Sequence, residues 1–292
     1  LEFSSGGTLI ASITSDGKIM ALKNGEVIEV LTGLNKPHGI AFFNSKLFVA
    51  EETKVTRFDW DEQNLKAVLD KVLFDLPPAG NHFTRSLVFD KSGNLYISVG
   101  STCNVCNESD PRYAAVLVSD AKGSKPRVFA KGLRNSVFVT LNEKTGEVWA
   151  TDMGRDFLGD DLPPDEINIL KDGKDYGWPD CFGNKVPDTN FNPDANCDNT
   201  EPPIYEIPAH SAPLGLIFDP QGDLLVAYHG SWNRSVPTGY KIVKLKVNGN
   251  QITGAEDLLT TGGRPVDLIF DKEGNLYISD DKNGAVYIIK KP

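Results

Sequence analysis

One phrase recurs along the chain: a small or proline-led apolar strand, a short Asp/Gly turn and a second apolar strand. It runs as Pro37-His38-Gly39-Ile40-Ala41-Phe42 with Lys46-Leu47-Phe48-Val49, and as Ser86-Leu87-Val88-Phe89-Asp90 with Gly93-Asn94-Leu95-Tyr96-Ile97-Ser98. It returns as Pro213-Leu214-Gly215-Leu216-Ile217-Phe218-Asp219 with Gly222-Asp223-Leu224-Leu225-Val226, and as Pro265-Val266-Asp267-Leu268-Ile269-Phe270-Asp271 with Gly274-Asn275-Leu276-Tyr277-Ile278-Ser279. A degenerate copy spans residues 135–149. Such repetition means that each unit is one supersecondary module, which buries its apolar faces only by packing on its neighbours. Further strand pattern follows each phrase, as in Val55-Thr56-Arg57-Phe58, with no helical period between. Four-stranded antiparallel units repeated about an axis make an all-β propeller. Five copies plus an opening unit at residues 9–30 predict six blades, with seven as the alternative.

The last unit stops one strand short and the first lacks most of its first strand, so ring closure is expected to draw on both termini. The whole chain, 1–292, is expected to form a single propeller domain, since architectures of this kind stay undivided at such lengths. Leu1-Glu2-Phe3 reads as the middle of a strand, which suggests an incomplete N-terminal strand. The formal charge of −10 disfavours nucleic acid and anionic lipid as partners and favours cations. No apolar run is long enough for a membrane span. Four cysteines fall in two local pairs, Cys103/Cys106 and Cys181/Cys197, which suit two disulfides and a periplasmic or secreted location. A four-cysteine zinc site is the rival, disfavoured by the long spacing of the second pair.

Three groups of residues could carry chemistry. His82 sits directly ahead of a unit's first strand and is the candidate general base, because an imidazole takes up a proton near neutral pH without heavy tuning. A packed or surface histidine is the bland alternative, and His210 and His229 compete for the role. The segment 152–168 holds six carboxylates in seventeen positions among glycines and prolines, a hard-oxygen composition suited to calcium or to a solvated acidic loop. Arg134, Arg234 and Arg264 stand near strand starts, where they could converge on a polyanion or simply tie blades together by ion pairs.

Gly132-Leu133-Arg134-Asn135, Asp165-Glu166-Ile167-Asn168 and Tyr176-Gly177-Trp178-Pro179, in this order, resemble soluble quinoprotein glucose and aldose sugar dehydrogenases. The sorbosone dehydrogenase-like branch is the better match, through Cys103-Asn104-Val105-Cys106 with Asp110-Pro111-Arg112, Gly159-Asp160-Asp161-Leu162-Pro163-Pro164-Asp165, His210-Ser211-Ala212-Pro213-Leu214-Gly215 and His229-Gly230-Ser231-Trp232-Asn233-Arg234. The resemblance implies oxidation of an aldose at C1, or of a sorbosone-like aldehyde, by hydride transfer to pyrroloquinoline quinone (PQQ), with electrons passing to an external quinone or cytochrome. It implies His82 as the base and Arg134 as the group that stabilises the reduced quinone oxygen. Asn135, Arg234, Arg264 and Asp281 would join Arg134 in gripping the cofactor. Backbone carbonyls of Gly154 and Arg155 would hold the calcium that polarises the quinone, and Asp165, Glu166 and Tyr176 a second calcium.

The chain departs from the family pattern in two places. Ser231-Trp232-Asn233-Arg234 offers no lysine, and Ser136-Val137-Phe138 puts a large ring where a small residue is expected. Two other classes remain open: a non-catalytic calcium-binding propeller that recognises a partner, and a lactonase-like hydrolase.

Overall fold

The repeated Asp/Gly turn explains how each unit folds locally. In the computed structural model, which describes residues 1–291, the Asp90 carboxylate accepts the N–H groups of Ser92 and Asn94, and Asp219 accepts those of Gln221, Gly222 and Asp223. Asp271 does the same for Asn275. Gly93, Gly222 and Gly274 take φ of 86°, 100° and 88°, a left-handed conformation that a side chain would strain. The aspartate closes the turn and the glycine lets the chain reverse, so each phrase becomes an antiparallel pair.

Six blade sheets result, which form a six-bladed β-propeller, beside a small two-stranded sheet of Cys181–Phe182 and Val186–Pro187. The first blade holds Glu2–Phe3, Leu9–Ile13, Lys18–Lys23 and Glu26–Leu31. The second holds Gly39–Phe43, Lys46–Ala50, Lys54–Asp61 and Lys66–Asp75. The third runs Leu87–Phe89, Asn94–Val99, Ala115–Asp120 and Arg127–Lys131, and the fourth Val139–Leu141, Val148–Asp152, Asp165–Leu170 and Tyr205–Ile207. The fifth comprises Pro213–Phe218, Leu224–Tyr228, Lys241–Asn248 and Gln251–Thr260. The sixth has three described strands, Pro265–Phe270, Leu276–Asp280 and Ala285–Ile289. The expected six units are therefore present.

Apolar clusters lie between successive blades. Ile10, Leu47 and Phe58 join the first to the second, and Phe48, Leu95 and Leu117 the second to the third. Val116, Leu141 and Ala150 join the third to the fourth, Trp149, Leu216 and Val226 the fourth to the fifth, and Leu225, Ala227 and Ile278 the fifth to the sixth. The second strand of a blade is consequently buried on both faces, as Val148–Asp152 and Leu224–Tyr228 are throughout. The outermost strands, such as Lys66–Asp75, are largely exposed. Residues near both ends meet where the ring closes. Among the described residues each end keeps to its own blade, and the ring closes through Phe3 packed edge-on against Tyr277 at 5.2 Å and through Lys272 on the Ser5 carbonyl.

Both cysteine pairs are disulfides. The long insertion of the fourth blade folds back on its neighbour, where Lys174–Asp175 pairs in parallel with the outer strand of the third blade. Cys181–Cys197 closes its remainder.

Candidate functional site

In each blade the connection that leads into the innermost strand and the loop that leaves the second strand emerge on the same rim. His82, Arg134, His210 and Arg264 belong to the first kind of segment; residues 100–114, 153–164, 229–240 and 281–284 belong to the second. The topology therefore brings nearly every residue singled out in the sequence to one rim, between the third and sixth blades.

His82 is half-buried, and its Nδ1 lies 2.9 Å from Ser101 Oγ and 3.0 Å from the Ser101 carbonyl. The Ser101 hydroxyl already donates to the Cys103 carbonyl at 2.7 Å, so it can only accept from the imidazole. Nδ1 must then carry the proton, which leaves Nε2 as an unprotonated acceptor. Burial, reinforced by the Arg134 charge, lowers the His82 pKa to about 4. Gly100 permits this placement: a Cβ there would stand 2.6 Å from His82 Cβ and 2.9 Å from Asn135 Oδ1. Asn135 Oδ1 is buried without a hydrogen-bond partner, an acceptor left unsatisfied at the site. Gly100→Ala is expected to push the imidazole out of register and lower the melting temperature by several degrees, measurable by thermal unfolding beside a kinetic assay.

Arg134 is buried and uses all five guanidinium N–H donors. Nε binds the Asn104 carbonyl at 2.9 Å, and Nη2 binds Asn104 Oδ1 at 2.7 Å and Asp156 Oδ2 at 3.2 Å. Nη1 reaches the Gly154 carbonyl at 2.9 Å and, most weakly, the Met153 carbonyl at 3.4 Å. Contact with a bound oxygen therefore requires one of these bonds to be exchanged, the Met153 contact being the longest. The Gly154 carbonyl, a predicted calcium ligand, already faces this cation.

The acidic segment does not act as one cluster. Asp156, Asp160 and Asp161 fasten the loop, through Arg134 and Asn233, through the Ser235 N–H, and through Arg234 respectively. Asp152, Asp165 and Glu166 are buried and, among the described residues, none forms an ion pair. Asp152 accepts the N–H groups of Arg134 and Asn135, Asp165 those of Gly154 and Ala212, and Glu166 that of Gly183 together with the Asn168 amide. Burial pushes Asp152 and Asp165 up to about 7 and Glu166 up to about 8. Strand pairing sets Asp152 opposite Glu166. Both line a cavity of about 20 Å³, together with Gly154, Arg155 and Tyr176, large enough for one water or ion.

This all-oxygen donor set fits a hard cation, though the three carboxylates do not form a ready-made cage. Among the described residues the one grouping of three potential ligands within 4.8 Å is Cys103, Cys106 and Glu108, and its sulfurs are spent in the disulfide. Tyr176 donates its hydroxyl to the Ile169 carbonyl and accepts from Lys171 N–H, so only its main chain is free to ligate. The Arg155 side chain is ion-paired with buried Asp188, which likewise leaves its carbonyl for that role.

Arg264, His229 and Asp281 form a chain. Arg264 donates to His229 Nδ1 and to the Gly230 carbonyl, and His229 Nε2 lies 3.0 Å from both Asp281 oxygens. Both ring nitrogens of His229 are thus engaged. His210 commits Nε2 to the Gly159 carbonyl. Arg234 donates to the Ala209 carbonyl at 2.9 Å and to Asp161 Oδ1 at 2.8 Å. Phe138 packs on His38 at 5.0 Å; the two precede inner strands of non-adjacent blades, so the ring narrows the axis. Sequence reasoning gave no role to Ser101 or Asn104, and took Asp156 only as one acid of the calcium-suited segment. The enclosure of Asn104 between two cysteines was the available signal.

A family model described as TrAA12-like matches residues 4–292. An uncharacterised protein of Borreliella burgdorferi is 33% identical over 91% of this chain and 78% of its own length. A pyrroloquinoline quinone-dependent pyranose dehydrogenase of Coprinopsis cinerea is 28% identical over 80% of this chain, and the match spans 43% of that enzyme. A calcium structure of the family AA12 enzyme of Trichoderma reesei superposes with a TM-score of 0.87 at 21% identity, covering 100% of this chain and 92% of the other.

Proposed function

The chain belongs to the TrAA12-like family, and from that premise we propose that it is a PQQ- and calcium-dependent dehydrogenase that oxidises aldose sugars at C1 and passes electrons to an external acceptor. The observation that carries this reading is the pairing, on one rim, of His82 with an open Nε2 and Asn135 with an unsatisfied Oδ1, beside the Arg134 guanidinium. A sugar offers both complements: one hydroxyl is the source of the proton that His82 would take, and a neighbouring hydroxyl is a donor for Asn135. The cationic groups Arg134, Arg264 and Arg234 suit a cofactor that carries several carboxylates.

When bound, the quinone supplies the two-electron acceptance that no side chain offers. His82 would accept the hydroxyl proton at Nε2 while Nδ1–H stays on Ser101, so the ring keeps its orientation as it becomes charged. Arg134 would exchange its Met153 contact for an oxygen that gains negative charge, and Asn135 would orient the sugar by accepting from a neighbouring hydroxyl. The carbonyls of Gly154 and Arg155 would hold the calcium at the quinone, and Asp165, Glu166 and the Tyr176 main chain a second calcium. Two disulfides support a periplasmic or secreted location.

Titration of the calcium-loaded protein with PQQ in a calorimeter, followed by dye reduction with glucose and other aldoses, tests the reading. Tight binding with sugar-dependent reduction is expected. Absence of quinone binding would sink it and return the chain to partner recognition. Calcium alone at a hundredfold excess over its Kd is expected to stabilise the fold by about 2.7 kcal/mol, seen as a rise in melting temperature that Glu166→Gln diminishes. An unchanged melting temperature would remove calcium from the proposal.

A further inference from the structure

The Cys103–Cys106 disulfide closes a turn of four residues on the rim, and that turn touches both residues read above as the reacting pair. Asn104, enclosed by it, makes five contacts. Its carbonyl accepts from Arg134 Nε at 2.9 Å and from Trp178 Nε1 at 3.4 Å. Its Oδ1 accepts from Arg134 Nη2 at 2.7 Å and from Asp156 N–H at 2.9 Å, and its Nδ2 donates to the Asp156 carbonyl at 3.2 Å. Two of the five donors of Arg134 are therefore held by one residue, in the forked manner that fixes the plane of a guanidinium. The neighbouring Cys103 carbonyl receives the Ser101 hydroxyl at 2.7 Å, and this bond leaves Ser101 Oγ to accept at His82 Nδ1, beside the Ser101 carbonyl, which accepts there as well.

We propose that this disulfide-closed turn is the positioning element of the site, in which Asn104 sets the plane of the Arg134 guanidinium and the Cys103 carbonyl, by orienting the Ser101 hydroxyl as an acceptor, supports the Nδ1–H tautomer and the orientation of His82. The covalent closure matters because a free turn of this length would sample many backbone conformers, and both contacts depend on where its carbonyls point. Cys181–Cys197, by contrast, closes the fourth-blade insertion and has no such link to His82 or Arg134 among the described hydrogen bonds. The inference rests on the reading of Arg134 and His82 as the reacting pair, but the hold on Arg134 can be measured without cofactor or substrate.

The experiment compares the full chain with the double variant Cys103→Ser/Cys106→Ser and, with the disulfide intact, with Asn104→Ala and Asn104→Asp. Near-UV circular dichroism confirms that each is folded. Arginine modification by phenylglyoxal is then followed peptide by peptide in a mass spectrometer, with exposed Arg127 as internal reference. Opening the turn or truncating Asn104 is expected to raise the rate at Arg134 by about tenfold, what the loss of a hydrogen bond to a charged group corresponds to. The Arg127 rate should not move. Asn104→Asp keeps an acceptor for Arg134 Nη2 and for Asp156 N–H, and should return the rate to within about twofold of the parent protein. In the sugar assay the double variant should lose kcat about tenfold with KM nearly unchanged, the pattern of a displaced transition-state group. An Arg134 rate unaltered in both the double variant and Asn104→Ala overturns the proposal whatever the activity. A raised rate in a protein that binds no PQQ upholds the positioning and refutes only the dehydrogenase.

Discussion

His82→Ala is expected to lower kcat for aldose oxidation by about 10²–10⁴-fold, the range in which a positioned general base contributes, while PQQ affinity changes only a few-fold. The side chain is half-buried and makes one hydrogen-bonded contact region, with Ser101, so its removal disturbs little else. Stopped-flow reduction of the PQQ-loaded protein by sugar measures the loss directly. The same residue sets a pH expectation. The base form is the neutral imidazole, and burial with the Arg134 charge lowers its pKa to about 4, so kcat/KM should stay level from neutral pH downward and fall only near pH 4. An acid limb near 6.5 would mean that the base is solvated, and unimpaired turnover in His82→Ala would remove it from the chemistry altogether.

Arg134→Lys is expected to cost about 10²–10³-fold in kcat, comparable to removing one donor from a site that stabilises developing charge. Lysine keeps the positive charge but cannot reproduce five N–H bonds in one plane. Asn104, Gly154, Met153 and Asp156 would lose partners together, so a fall in melting temperature should accompany the kinetic loss. Stability and kcat should be measured on the same preparation. A variant that is destabilised yet turns over at the parent rate would assign Arg134 to holding the rim alone.

The fold was readable because its determinants are local. The Asp/Gly turn, two apolar strands and their spacing recur within each unit, and Asp90, Asp219 and Asp271 close their turns through bonds to residues two to four positions ahead. The rim was less readable because its contacts are remote in sequence. The acids of 152–168 look alike as a string, yet the strands and loop divide them into a buried trio and three that fasten the loop. The string carries no sign that Asp156 answers Asn104, Arg134 and Asn233 from two other blades and the segment before its own. Phe138 was visible as an oversized residue, but its tilted contact with His38 depends on two inner strands of non-adjacent blades coming together. Closure shows the same limit: a strand pattern that is one short does not say which surfaces meet, and here Phe3 meets Tyr277 face to edge.

Each blade is a meander of strands adjacent in sequence, whereas the rim draws His82, Asn104, Arg134, Asp156, Asn233, Arg264 and Asp281 from four blades in succession. Meanders form from short-range contacts and can collapse as soon as they are made. A chain emerging from a ribosome therefore builds its scaffold blade by blade and holds no assembled pocket until the sixth unit has been synthesised and docked. Capacity to bind a ligand should appear as a discrete final event in refolding, later than the recovery of sheet signal, and truncation anywhere in the last blade should abolish it while leaving most of the secondary structure in place.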